Sequence, residues 1–175
     1  RVLSAISEQR GSPCLWARVY HGESELLEGA CLRDIGVLDG SQLTLVMLPP
    51  LYVVTASADQ TARIWCAASG RCLRTLVGHR HAVSSAAFSP DGQQLLTASW
   101  DGTAKLWRAT TGECLHTLQD HRGAVNSAAF SPDGQQFLTA SEDRTARLWS
   151  TASGECLRVL EGHRGALLVA SFSPD

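Results

Sequence analysis

A histidine, a serine, an aspartate and a tryptophan recur together along this chain. His79, Ser99, Asp101 and Trp107 form one set, and His121, Ser141, Asp143 and Trp149 repeat it 42 residues later. Ser57, Asp59 and Trp65 stand one period earlier and His163 one period later, while Val37 holds the place of the first histidine. Serine, histidine and aspartate are the vocabulary of acyl transfer: histidine takes the serine proton and aspartate orients the histidine. A catalytic centre is needed once, whereas this set returns with every period. That points to a structural duty repeated in each unit. No unrepeated acid, base or nucleophile cluster occurs beside it, and no Gly-x-x-x-x-Gly-Lys-Ser/Thr phosphate loop. The expectation is a protein that is not an enzyme, with no catalytic residue.

Metal chemistry fails on spacing. His79-x-His81 could chelate, but the second position becomes Gly123 and Gly165 in the next periods. The six cysteines, Cys14, Cys31, Cys66, Cys72, Cys114 and Cys156, include no Cys-x-x-Cys pair. Cys72, Cys114 and Cys156 recur once per period in a Gly-x-Cys-Leu-x-x-Leu context, and zinc needs four ligands close together. They read as reduced, small, buried apolar side chains. No metal and no cofactor is expected.

The elements that must position these residues follow from self-comparison. Residues 78–119 and 120–161 agree at 28 of 42 positions. Each unit reads as four short strands. Residues 83–88 are the first. Ser89-Pro90-Asp91-Gly92 then turns the chain, with Pro setting φ, Asp bonding locally and Gly tolerating positive φ. Residues 95–99, 103–107 and 114–118 follow, separated by turns at Asp101-Gly102 and Thr111-Gly112. Four strands in about 40–45 residues make one blade of a β-propeller.

The unit resembles a WD repeat. The residues that carry the likeness are Gly78-His79, Phe88-Ser89-Pro90-Asp91-Gly92, Ser99-x-Asp101-x-Thr103 and Leu106-Trp107. Asp120-His121 has lost the opening Gly, and the Asp expected after each Trp is replaced by Cys66, Arg108 and Ser150. The resemblance implies that His, Ser, Asp and Trp form a structural tetrad. The indole N–H would donate to Ser, Ser to His, and His to the turn Asp. It also implies a rim where non-repeating residues are free to meet partners. The residue before the turn Asp is Ala58, Trp100 and then Glu142, beside Ala82, Ala124 and Ala166. Trp100 is the expected partner contact, since tryptophan is enriched at hot spots.

The period does not extend through residues 1–48. Strands are expected at 15–20, 24–27 and 42–48, with a helical turn at 31–35. The order resembles the second half of a ubiquitin-like, β-grasp domain. The matching residues are Ile6, Gly11-x-Pro13, Arg18-Val19-Tyr20-x-Gly22, Leu27-Glu28-Gly29, Leu32-x-Asp34 and Gly40-Ser41-x-Leu43-x-Leu45-Val46. The likeness implies an apolar recognition patch at Val19 and Val46. No Gly-Gly tail follows Val46 and no lysine precedes Lys105, so conjugation is not expected. Residues 43–47 also occupy the register of a first blade strand, which would let them complete the first blade by pairing with residues 52–57.

The expected fold is therefore mostly β. A truncated ubiquitin-like segment (1–48) precedes a partial propeller (49–175), with repeats at 51–77 (partial), 78–119, 120–161 and 162–175 (partial). Lys plus Arg is 15 against 17 Asp plus Glu, a net charge of −2, so nucleic acid is not the expected partner. The longest apolar run, residues 45–54, is short and broken by Pro49-Pro50, so no membrane partner is expected either. The chain reads as a fragment of a longer cytoplasmic protein whose further repeats would complete the ring, and as oligomeric or aggregation-prone alone, because an open array exposes strand edges. The favoured function is a protein-binding scaffold near ubiquitin signalling. The alternatives are a ribosome-assembly factor of the Notchless-like kind, or the regulatory WD array of a larger NTPase or kinase-type protein.

Overall fold

The computed structural model describes strand residues 16–21, 24–26 and 44–48, and the continuous stretch 51–174. The chain divides into two compact units, Arg1–Val53 with Trp65–Arg71, and Val54–Ile64 with Cys72–Asp175.

In the first unit, β1 (Trp16–His21), β2 (Ser24–Leu26) and β3 (Thr44–Leu48) form an antiparallel sheet in the order β2-β1-β3. Residues 44–48 pair with β1, with Trp16 opposite Leu48 and Tyr20 opposite Thr44. This overturns the expectation that they complete the first blade: their backbone is paired with β1 instead. The expected turn at 31–35 and the position of Val37 lie outside the described residues.

The rest is a succession of antiparallel sheets. β4 (Tyr52–Ala56), β5 (Thr61–Cys66) and β6 (Cys72–Val77) form a three-stranded sheet. β7 (Val83–Phe88), β8 (Gln94–Ser99), β9 (Ala104–Arg108) and β10 (Cys114–Leu118) form a four-stranded one in chain order. β11 (Val125–Phe130), β12 (Gln136–Ser141), β13 (Ala146–Ser150) and β14 (Cys156–Leu160) repeat it. This is an all-β fold of repeated sheets consistent with partial propeller blades. The strands form where the period-2 pattern places them, within a residue of the expected ends. Each first turn closes on Gly92 or Gly134 at φ near +70°, with Asp91 and Asp133 accepting the N–H of Gln93 and Gln135 at 3.0 Å.

The core lies between successive sheets. Ala62, Ile64 and Leu76 of one sheet pack with Val83, Leu95 and Trp107 of the next. Leu96, Ala98, Leu106 and Leu118 then pack with Val125, Ala128, Phe137 and Trp149. A central strand is thus buried on both faces: Leu95, Leu96, Thr97, Ala98 and Ser99 are all fully buried. The inner strands are stitched as well. Ser84 Oγ donates to Val125 O at 2.6 Å and Asn126 Nδ2 to Leu167 O at 2.9 Å.

Two of the three periodic cysteines lie outside this core, and the third, Cys156, packs against it only partly buried. Cys72 and Cys114 are exposed and Cys156 is half-buried; only Cys66 is buried among the four described. The reason is position in the sheet: β6, β10 and β14 are the outermost strands of their sheets. Their thiols find local acceptors instead, at 3.4–3.5 Å from the carbonyls of Arg74, His116 and Arg158.

Candidate functional site: a rim over a repeated hydrogen-bond chain

The recurring polar residues meet where the loop before the first strand touches the loop between the second and third. Trp107 Nε1 donates to Thr97 Oγ1 at 2.9 Å. Thr97 Oγ1 stands 2.8 Å from His79 Nε2, and His79 Nδ1 stands 3.0 Å from Asp101 Oδ2. A carboxylate can only accept, so Nδ1 carries the imidazole proton and Nε2 accepts from the threonine. The protons therefore run one way: tryptophan to threonine to histidine to aspartate. The next blade repeats this through Trp149, Thr139, His121 and Asp143 at 2.9, 2.7 and 2.7 Å.

The acceptor for each indole is threonine, where serine was expected. Register explains the correction. Trp107 lies opposite Leu95, so Thr97 is its diagonal neighbour on the same face. Ser99 is two further residues along the strand, about 14 Å from Leu95 and out of reach. Ser99 and Ser141 do another job. Ser99 Oγ donates to His81 O and accepts the Asp101 N–H, both at 3.1 Å, tying the turn to the preceding loop. Ser141 does the same with Gly123 O and Asp143 N. The sequence did hold a signal for the threonine, since Thr55, Thr97 and Thr139 keep the 42-residue period in mid-strand.

In the first set, the described residues show the turn portion of this arrangement. Asp59 accepts from the Thr61 hydroxyl and N–H, as Asp101 does from Thr103. Its second oxygen, which takes histidine in the later blades, takes Arg63 at 3.3 Å. Ser57 Oγ accepts the Asp59 N–H, and Trp65 is half-buried. His163 is exposed.

Burial dominates the electrostatics. It holds the His79 imidazole below its ordinary pKa although Asp101 pulls the other way, and the same is true of His121 with Asp143. For Asp101, burial raises the pKa, but hydrogen bonds from Thr103, the Arg80 N–H and His79 outweigh it and bring the carboxyl down to about 2. Asp143 is depressed for the same reasons. Both imidazoles are thus neutral, with each ring nitrogen committed. His79 has no free lone pair for a metal, and among the described residues no group of three or more His, Cys, Asp or Glu could hold one. Ser99 and Ser141 direct their hydroxyls to backbone carbonyls and not to the histidine rings.

Above this chain lies the rim. Trp100 N donates to Ala82 O at 3.0 Å and Glu142 N to Ala124 O at 2.9 Å, so the two rim positions named from sequence are neighbours in both complete blades. Trp100 is 54% exposed, and its indole leans on the His81 ring with centroids 5.9 Å apart. Neither ring recurs in the next blade, where Glu142 and Gly123 replace them. Ala58, Glu142 and Ala166 are exposed; Ala82 and Ala124 are half-buried. In the first unit, the backbone register places Val19 opposite Leu45 and Val46 opposite Arg18.

Residues 70–108 and 112–150 each match the family described as WD domain, G-beta repeat. The nuclear distribution protein PAC1 of Mycosarcoma maydis is 42% identical over 69 residues, 38% of this chain and 15% of that protein. The probable E3 ubiquitin ligase complex SCF subunit scon-2 of Neurospora crassa is 55% identical over 40 residues, 23% of this chain and 6% of that protein. The Lissencephaly-1 homolog of Heterostelium pallidum is 47% identical over 45 residues, 26% of this chain and 11% of that protein. The chain thus spans at most 15% of these curated relatives.

Proposed function

We propose that this chain, a member of the WD-repeat family, is a non-catalytic scaffold that presents a propeller rim to partner proteins. The observation that carries the reading is Trp100. A large aromatic with no periodic packing duty stands more than half exposed on a rim whose backbone is pinned from below. Rigid exposed tryptophans of this kind anchor protein interfaces. A role beside ubiquitin signalling has two supports: the strand order β2-β1-β3, as in the second half of a ubiquitin-like domain, and a relative named as an SCF subunit.

The test is a comparison of Trp100→Ala with Val77→Ala, which changes an exposed apolar residue on an outer strand. Both variants keep the parent melting temperature. Quantitative capture from cell extract should show a set of proteins lost with Trp100→Ala and retained with Val77→Ala. Identical capture by the two variants and the parent refutes the rim as the contact.

A further inference from the structure

The exposed Trp100–His81 pair stands at the edge of a concavity. Asp101 and Arg80, the chain neighbours of those two rings, line a hollow of about 330 Å³ together with Lys105, Thr117, Gln119 and His121. Its hydrogen-bonding capacity is one-sided. Both Asp101 oxygens are spent on internal donors, Oδ1 on Thr103 and Oδ2 on the His79 ring and the Arg80 N–H. Both His121 ring nitrogens are spent on Thr139 and Asp143. What remains unspent is positive. Among the described residues, neither Arg80 nor Lys105 stands in an ion pair. The exposed Arg80 guanidinium keeps all its N–H donors, and half-buried Lys105 gives one of its own to Thr117 Oγ1 at 2.9 Å. One period later the equivalent hollow carries carboxylates for its cations. It is lined by Arg122, Arg144 and Arg147, but Glu161 stands there in the place of Gln119, and Asp120 lies 3.6 Å from Arg147.

We propose that the partner segment docking on Trp100 is a linear acidic one: an apolar side chain lies on the Trp100–His81 pair, and a neighbouring Asp or Glu carboxylate enters the hollow to accept from Arg80 and Lys105. This rests on the reading of the rim as the partner contact and adds the chemistry of the partner. Charge complementarity selects the occupant. A hollow whose acceptors are all committed and whose cations are not is matched by a ligand that brings acceptors and negative charge. Two cations against one ionised carboxylate, Asp101, suit the single charge of Asp or Glu better than a doubly charged phosphate. The anchor and the carboxylate come from adjacent or nearly adjacent residues of the partner, because each ring of the aromatic pair is the chain neighbour of a residue lining the hollow. The division of labour follows: the aromatic pair supplies contact area, and the cations set which segments are accepted.

Selection of a displayed library of short random peptides on the whole chain tests this. The peptides recovered should carry Asp or Glu beside an aromatic or aliphatic residue. A recovered peptide should bind Arg80→Gln and Lys105→Gln each about tenfold more weakly than the parent. Changing its acidic residue to the amide should weaken binding to the parent and leave binding to the Arg80→Gln/Lys105→Gln double variant unchanged. Arg80 is exposed, so its variant carries the test alone should Lys105→Gln lose stability. Trp100→Ala separates this proposal from the reading beneath it. Peptides lost with Trp100→Ala but indifferent to both charge variants overturn the acidic partner and leave the rim standing. Peptides indifferent to all three variants refute the rim as well. Recovery of no binder, recovery without an acidic bias, or tighter binding when phosphoserine replaces the acidic residue also overturns the proposal.

Discussion

Thr97 and Thr139 are each the middle of a proton chain with a donor on one side and an acceptor on the other. Removing the hydroxyl leaves a buried indole N–H and a buried imidazole nitrogen without partners. Thr97→Val should therefore cost about 2–4 kcal/mol, as two unsatisfied groups at about 1–3 kcal/mol each with some relaxation. Ser99→Ala loses a turn contact whose acceptor is a backbone carbonyl, at about 1 kcal/mol. Trp107→Phe, which strips only the donor, should fall between them. Urea unfolding of the three variants gives the ranking, and a Ser99→Ala loss larger than that of Thr97→Val refutes the threonine assignment. A second residue-scale prediction concerns the turn after Asp143. Gly102 takes φ +82° there, whereas Arg144 is held at +70°, a conformation that costs an ordinary side chain about 1–2 kcal/mol. Arg144→Gly should raise stability by about 1 kcal/mol, and a lower melting temperature contradicts this.

At the scale of elements, β6 and β10 each lean on a turn of the following blade. His116 of β10 lies against Gly154, where an added Cβ would stand 2.9 Å from the ring. Gly154 also sits at φ +71°. Gly70 shares that conformation, with nothing within 4 Å of its would-be Cβ. Gly154→Ala thus combines backbone strain with a clash, whereas Gly70→Ala meets strain alone. The expected losses are about 2–4 and about 1 kcal/mol. Equal losses in thermal unfolding would show that blade-to-blade contact at β10 carries no weight.

For the molecule as a whole, the two buried histidine–aspartate pairs make stability depend on pH in one direction. A histidine with a lowered folded pKa is neutral when folded and takes a proton more readily when unfolded. Stability therefore falls as pH drops through the unfolded histidine value of about 6.5 toward the lower folded value. Asp101 and Asp143, depressed when folded, add a second loss as pH falls below the unfolded value of about 3.9 toward about 2 for Asp101. The melting temperature should decline between about pH 7.5 and 5 and again below about pH 4. A melting temperature that rises on acidification from neutrality would reverse the sign and refute the neutral-imidazole network.

How much of this was legible in the residues differs by scale. The repeat, the strand boundaries and the turns were readable because they depend on local pattern: a 42-residue period, apolar alternation, and Pro, Asp and Gly at fixed offsets. So was the exposure of Trp100, since a position that varies within a strict repeat is released from packing. Other outcomes depend on which strand lies beside which. Thr97 displaced Ser99 because the indole's reach is set by cross-strand register; the 42-residue period marks both Thr97 and Ser99 and does not by itself choose between them. The cysteines surfaced because the fourth strand is an outer edge, which the Cys-Leu pattern alone does not show. Local chemistry determined the elements of this protein; its buried polar network was decided only when the strands were set side by side.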